Sequence, residues 1–326
     1  GRDFHAPLLR EVDGLRVGYV VTANPERAAA ARADNPGVQV VDTPDRLWDL
    51  AADVDLVVIA SPTAAHADQA HAAVRHGLAV VVDKPLATTA DAGRGLVEAA
   101  TAAGTMLTVF QNRRWYAEHL TARAVLSSGA LGEVIRYEAR YERWRPVPKQ
   151  RWREQSTSEQ GGGLLMDLQP HLVDSAVDLF GPVATVYAEL RAVTTAGDDV
   201  SFLALRHASG VTSHLGATSL AGAPGPRTRL IGREATYLVA DVDGDLTAYG
   251  EWLDADDEHR GFLVRGEQSE PVPRAPGRWA DFYRGVRAAL VEGAPPPVDP
   301  AVSVGVLEVL DAARVSSRDG VVVRLS

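Results

Sequence analysis

The strongest constraint on the fold lies in residues 54–82. Val54–Ala60 (VDLVVIA) and Ala79–Val82 are short, apolar, β-branched runs separated by a stretch of helical composition. A strand that is apolar on both faces must be covered on both, as inside a parallel sheet flanked by helices. The same alternation runs through the first third of the chain. Leu15–Thr22, Val38–Val41 and Met106–Phe110 read as further strands. Pro25–Asp34, Pro44–Ala52 and Asp91–Ala103 read as helices, as does the segment after Ser61-Pro62-Thr63 that carries His66, His71 and His76. The pattern predicts an α/β chain that opens with a doubly wound parallel sheet over residues 1–115. Ligands of such sheets sit at the carboxyl ends of the strands. That singles out Thr22–Asn24, Ser61–Thr63, Asp83–Pro85 and Gln111–Trp115.

After Gly132 the period changes to two. Val134–Arg145, Val183–Val193, Val200–His207, Val211–Thr218, Arg227–Val239 and Leu246–Trp252 alternate, with turn signals at His207–Gly210 and Val242–Gly244. They predict a second α/β domain, 116–326, built on a large open, mostly antiparallel sheet. Pro170–Phe180, Trp279–Glu292 and Pro300–Ser316 would cover one side of it, with the last helix returning to the first domain. Arg260–Pro276 reads as a surface loop and Val321–Leu325 as a returning strand. No run of about eighteen apolar residues marks a membrane span. With no cysteine, disulfides and thiolate chemistry are excluded. A metal site would need histidine and carboxylate alone. No such set has convincing spacing, since His66 and His71 are five apart, so no metal is expected. A net charge of −10 argues against a general nucleic-acid binder, though not against an anionic nucleotide held locally. These features fit a cytoplasmic protein. The opening residues, GRDFHAPLLREV, already read as a helix, so further chain is expected ahead of Gly1.

Chemistry concentrates in a few places. In Gly161–Asp178 three glycines run into a helix start, and Asp167 and His171 stand four apart. On one helix that spacing puts both on one face, a plausible acid–base unit; the alternative is an Asp near the helix dipole and a satisfied His. Lys84 leaves the end of a buried strand, where it can hold a substrate hydroxyl or simply be solvated. Pro85 fixes an extended backbone at Lys84 and allows a cis bond. Ser61-Pro62-Thr63 and His66 form either an anion or ribose contact at a helix start, or a plain cap. Asn112, Arg113 and Trp115 suit polyol recognition, whereas Arg114 reads as part of a salt-bridge cluster. Arg151 and Trp152, in YERWRPVPKQRW, are further candidates to reach a substrate.

Taken in order, these segments resemble the Gfo/Idh/MocA oxidoreductases, and look closest to the branch that contains NADP-dependent scyllo-inositol dehydrogenases. The resemblance rests on Phe4–Leu9, Ser61–His66, Asp83–Pro85, Asn112–Trp115, Arg145–Glu154 and Gly161–Asp174, and covers nearly the whole chain. It implies a nicotinamide-binding Rossmann domain over 1–115, with its first strand ahead of Gly1 and Gly1 as the third fingerprint glycine. It implies a substrate-binding and oligomerisation domain over 116–326, forming a homodimer or homotetramer through its sheet. Lys84, Asp167 and His171 become the catalytic set. His171 exchanges the substrate proton, Asp167 tunes it, and Lys84 positions and polarises the oxygen. Gly1, Phe4, Thr22, Asn24, Arg27, Ser61, Pro62, Thr63, His66, Asp83, Lys84 and Pro85 become cofactor contacts. Asn112, Arg113, Trp115, Arg151, Trp152 and Gln169 become substrate contacts.

The chain departs from the family pattern at named positions. Asp83 replaces a Glu, one methylene longer. Gln169 replaces a Gly and is expected to reach into the pocket. The strand ending at Thr22 lacks the acid that favours NAD, and Asn24 stands where the NADP branch has Arg. Thr22, Asn24 and Arg27 can take a 2′-phosphate, so NADP(H) is favoured over NAD(H). The expected function is an NAD(P)-dependent oxidoreductase that interconverts a secondary alcohol and a ketone on a cyclic polyol, sugar or sugar derivative. A competing expectation, prompted by Gln169 and the missing fingerprint, is a non-catalytic ligand-binding or accessory protein that keeps the fold. A reductase of an unsaturated or imine substrate is a third.

Overall fold

The structure, a computed structural model, describes residues 1–239 and 261–325. The expected strand Leu246–Trp252 and turn Val242–Gly244 lie outside the described residues. The chain opens with α1 (His5–Arg10), β1 (Tyr19–Val21), α2 (Pro25–Asp34), β2 (Gln39–Val41) and α3 (Pro44–Trp48). It continues through β3 (Leu56–Ile59), α4 (His66–Arg75), β4 (Ala79–Asp83), α5 (Ala90–Ala102) and β5 (Leu107–Phe110). Next come α6 (Ala117–Ser127), β6 (Val134–Glu142), α7 (Trp152–Gln155), α8 (Gly163–Asp167) and α9 (Gln169–Phe180). β7 (Val183–Arg191), β8 (Val200–His207), β9 (Thr212–Thr218), β10 (Thr228–Gly232) and β11 (Thr236–Val239) come after them. β12 (Gly261–Arg265), β13 (Gln268–Val272), α10 (Ala280–Glu292), α11 (Pro300–Asp319) and β14 (Val323–Arg324) close the chain.

Two compact units result. The first takes Gly1–Ala87, Asp91–Asn112 and Trp279–Val304; the second takes Thr88–Ala90, Arg113–Arg278 and Gly305–Ser326. The helix expected over Trp279–Glu292 therefore belongs to the first unit rather than to the cover of the second sheet.

In the first unit β3, β4 and β5 form a parallel ladder with β4 in the middle. Val80, Val81 and Val82 are wholly buried, as the double-sided apolar run requires. α4 packs on β3 and β4, and α1 on α10. β1 and β2 pair in parallel as a separate ladder. The described residues hold no strand that bridges the two ladders.

Among the described residues the second unit is built on a nine-stranded sheet in the order β13-β12-β11-β10-β6-β9-β8-β7-β14. Only β6 and β9 run parallel within it. Along β8, Ser201, Leu203, Leu205 and His207 are buried while the residues between them are half-buried or exposed, so the period of two is a real facing pattern. α9 packs on β9 and β6.

Two expectations are corrected here. Arg227–Val239 is not one strand but the hairpin β10–β11. Gly232 sits at a register shift, and a Cβ there would lie 2.2 Å from Leu131 O, so only glycine lets the chain turn at this point. Residues 261–272 are not loop but the hairpin β12–β13, closed by a two-residue turn at Gly266 (φ +61°) and Glu267. Pro271 is tolerated because β13 is an edge strand. No helix among the described residues is long and apolar enough to cross a membrane.

Leu203 is fully buried on β8. Leu203→Ala is expected to lower unfolding free energy by about 2–5 kcal/mol in urea titration, through lost transfer energy plus the cavity left behind.

Candidate functional site

In the first unit the chemistry gathers where β3 and β4 end. Asp83 closes β4, its Oδ1 accepts the backbone N–H of Lys84 at 2.8 Å, and the Lys84–Pro85 peptide is cis. Burial raises the proton affinity of Asp83, but His5, Lys84 and His66 together outweigh it and hold the carboxyl well below the usual range. Asp83 is therefore a fixed negative charge beside Lys84.

His66 begins α4 with its ring buried. Nδ1 lies 2.8 Å from Pro85 O and Nε2 lies 2.9 Å from Ser61 O. The ring therefore bridges the loops that come after β4 and β3. Burial lowers its pKa, and a neutral ring donates to only one of the two carbonyls. Both ring nitrogens thus face carbonyl oxygens of the protein. Ser61 Oγ donates to Gln69 Oε1 at 2.8 Å, and Thr63 is buried in the turn that precedes α4.

After β1, Thr22 Oγ1 accepts Asn24 N at 3.3 Å, and Asn24 Oδ1 caps α2 by accepting Arg27 N at 2.9 Å. Asn24 and Arg27 are exposed, and no acid stands between Val21 and Arg27 except Glu26. A Cβ on Gly1 would lie 3.9 Å from Ala60 Cβ, so the opening residues run past the end of β3. The Phe4 ring, half exposed, lies 5.9 Å from that of Trp279.

In the second unit two of the three glycines, Gly162 and Gly163, make a tight approach that other residues could not. A Cβ on Gly162 would lie 2.1 Å from Ser156 O. Gly163 has φ +74°, and a Cβ there would lie 2.3 Å from Asp198 Oδ1. Asp198 caps α8 twice, accepting Leu165 N on Oδ2 and Leu164 N on its backbone oxygen, each at 2.8 Å. Burial pushes its carboxyl up to about 7.

The helix expected to carry Asp167 and His171 on one face is broken between them. α8 ends at Asp167 and α9 begins at Gln169. Pro170 supplies no N–H and its ring crowds the carbonyl four residues back, so one helix cannot pass through. His171 N instead bonds to Leu168 O, three residues back, at 3.2 Å. Asp167 Oδ1 lies 3.3 Å from Arg153 Nε, and the Arg153 guanidinium lies 4.5 Å over the Trp152 ring. The His171 ring meets Tyr141 edge-on with centroids 6.5 Å apart.

Gln169 opens α9. It is fully buried, and its Nε2 donates to Ser201 Oγ at 3.0 Å and to Leu215 O at 3.3 Å. Its amide is turned to β8 and β9, where a glycine would leave those acceptors to find other donors.

The remaining candidates separate clearly. Arg113 lies 5.1 Å over Tyr116 and 5.7 Å from Tyr141, and Arg227 stacks on Tyr141 at 3.8 Å. They line a cavity of about 20 Å³ with Leu172 and Ser175, room for a single water. Arg114 is the salt-bridge residue expected, bidentate to the buried Asp174 at 2.9 and 2.7 Å and 3.1 Å from Asp178. Arg151 is exposed and paired with Glu154. Asn112 is buried, while Trp115 and Trp152 are half-buried. Among the described residues no group of three or more His, Asp or Glu could hold a metal ion.

The sequence reading passed over His5 and Tyr283. His5 is buried, and its Nδ1 lies 2.6 Å from the Tyr283 hydroxyl. The available signal was a histidine in the first turn of a helix whose neighbours Phe4, Leu8 and Leu9 are apolar.

Comparison with known proteins gives consistent matches. The family described as "Oxidoreductase family, NAD-binding Rossmann fold" matches residues 1–111, and the "GFO/IDH/MocA C-terminal domain" matches 119–238. The scyllo-inositol 2-dehydrogenase (NADP(+)) IolW of Bacillus subtilis is 29% identical over 98% of this chain and 91% of its own. The uncharacterized oxidoreductase YdgJ of Escherichia coli is 33% identical over 95% of this chain and 91% of its own. The solved structure of yvaA from Bacillus subtilis superposes with a TM-score of 0.87 at 28% identity, covering 99% of this chain and 94% of that one.

The Asp198 carboxyl has a consequence for stability. The folded chain keeps this proton up to about pH 7, whereas an unfolded Asp releases it near about pH 4. Between those values the folded state binds more protons, so this group's contribution falls as pH rises through the window. Asp198→Asn keeps an acceptor for Leu165 N and removes the ionisation. Its urea midpoint is expected to fall less than that of the wild type between pH 5 and pH 7.5.

Proposed function

Because this chain belongs to the Gfo/Idh/MocA oxidoreductases, we propose that it interconverts a secondary alcohol and a ketone on a cyclic polyol or sugar, with NADP(H) as the preferred cofactor. The bound nicotinamide supplies the two-electron acceptor or donor. In this reading His171 takes or returns the proton of the substrate hydroxyl, Asp167 tunes the imidazole, and Lys84 holds and polarises the oxygen. The observation that carries the reading is Lys84 at the carboxyl end of the buried strand β4. It leaves the strand beside an ionised Asp83 and before a proline held by His66.

Support for NADP(H) comes from the end of β1. Thr22 and Asn24 carry no charge, and Arg27, one turn into α2, is exposed. A 2′-phosphate there would meet a cation and a helix N-terminus rather than a repelling carboxylate on the strand end. The named activity of IolW points to an inositol, and the family's breadth keeps other sugars in the test panel. The non-catalytic alternative was prompted in part by Gln169, and that side chain is committed to the sheet.

Two measurements test the proposal. Titration of the whole protein with NADPH and NADH, followed by fluorescence, is expected to give tighter binding of NADPH. Tighter binding of NADH would overturn the cofactor assignment. With a panel of inositols and sugars, Lys84→Ala is expected to lower kcat by about a hundredfold or more while leaving NADPH affinity within about twofold. Unchanged kcat would remove Lys84 from the catalytic set.

A further inference from the structure

The first unit contains a polar chain inside an aromatic core. The Phe110 ring lies 4.3 Å from the His5 ring and 5.9 Å from the Tyr283 ring, centroid to centroid, and Phe282 packs edge-on against both Phe110 and Tyr283. Tyr283 is wholly buried and His5 is 2% exposed. A Phe and a Leu would fill these places with no polar group to satisfy. A buried hydroxyl and imidazole carry a desolvation cost that only well-placed partners offset.

Those partners run in one direction. The Tyr283 hydroxyl and His5 Nδ1 are 2.6 Å apart. Burial and the Asp83 charge keep the Tyr283 phenol protonated far above neutral pH, and in the tautomer that turns the His5 Nε2 proton toward Asp83 the phenol donates to Nδ1. His5 Nε2 is itself buried and lies 3.6 Å from Asp83 Oδ2, with no closer hydrogen-bond partner. The other oxygen of the same carboxylate, Oδ1, accepts the Lys84 N–H. Each link therefore points its proton toward the residue that precedes Lys84. On the far side of Lys84, His66 holds the carbonyl of Pro85. Lys84 thus sits between two residues whose orientation is set by buried histidines.

We propose that Tyr283, His5 and Asp83 form a polar chain that positions Lys84, with the His5 ring hydrogen-bonded to Tyr283 and its Nε2 facing the Asp83 carboxylate. The proposal rests on the reading of Lys84 as the residue that polarises the substrate oxygen. Tyr283 and His5 are positioning residues, since they act through the Asp83 carboxylate. Asp83, one methylene shorter than Glu, stands 3.6 Å from the ring. Loss of the chain frees the carboxylate to rotate, and Lys84 with it.

The sequence offers a direct probe. The chain has two lysines, Lys84 and the exposed Lys149, so Lys149 serves as an internal reference. The whole protein and its Tyr283→Phe, His5→Leu and His5→Gln variants are treated with trace acetic anhydride, and acetylation of each lysine is quantified by mass spectrometry. Tyr283→Phe keeps the ring and deletes only the hydroxyl; His5→Gln keeps a donor near the Nε2 position. His5→Leu and Tyr283→Phe are expected to change the Lys84:Lys149 labelling ratio about threefold or more, the scale of one hydrogen bond, and His5→Gln to restore it within about twofold. In turnover assays His5→Leu is expected to lower kcat about tenfold with substrate KM and NADPH affinity within about twofold. An unchanged labelling ratio in folded Tyr283→Phe and His5→Leu protein overturns the proposal. Should His5→Leu not fold, Tyr283→Phe decides alone. Labelling that responds as expected in a wild-type protein with no turnover on any polyol or sugar would leave the positioning chain standing and overturn the proposed function instead.

Discussion

Val80, Val81 and Val82 are removed from water altogether, so the backbone of β4 has to meet its hydrogen-bonding needs on both edges, which it does against β3 and β5. That double constraint leaves β4 no freedom of register. A one-residue slip would break both ladders at once. Asp83, at the end of the strand, and Lys84 and Pro85, directly after it, inherit this rigidity. Asp83–Pro85 are thus attached to a strand that is buried on both faces and paired on both edges, an arrangement that holds side chains closely in place.

The second unit solves a similar problem by different means. Its catalytic candidates are not at a strand end but on either side of a helix break, with α8 capped by Asp198 and α9 seated on β9 and β6. Glycine does the work that burial does in the first unit. Gly162 and Gly163 allow the backbone to come within van der Waals contact of Ser156 and Asp198, which no side chain would permit. Gln169 then fastens the start of α9 to β8 and β9 through its amide. A buried ion pair, Arg114 with Asp174, ties the same helix to the segment after β5. Such pairs contribute orientation more than net stability, because desolvation consumes much of the Coulombic gain.

Much of the architecture was legible in sequence because hydrophobic period reports burial directly. β4 and β8 were read within a residue of their observed limits, one as a continuous apolar run and the other as alternation. Where the reading failed, the local signal was ambiguous. Arg227–Val239 looks like one strand because its period of two continues through the bend, and the bend depends on how closely Gly232 approaches Leu131. Residues 261–272 look like loop because glycine and proline surround a short hairpin whose edge position makes Pro271 harmless. The break between Asp167 and His171 has a local signal in Pro170, where the helix Pro170–Phe180 was read to begin, and the structure starts that helix one residue earlier, at Gln169.

The sequence by itself determined the order of elements, the two kinds of sheet, the family and the short segments that carry chemistry, because these depend on local period, turn residues and motif spacing. Tertiary structure alone decided the partners of each buried polar group. His66 is a bridge between two loops, Gln169 a sheet anchor, and His5 a neighbour of Tyr283, 278 residues away in the chain. A polar side chain in a core has to find its hydrogen bonds among whatever residues the fold brings near. That choice is set by packing over long sequence separation, and no local pattern encodes it.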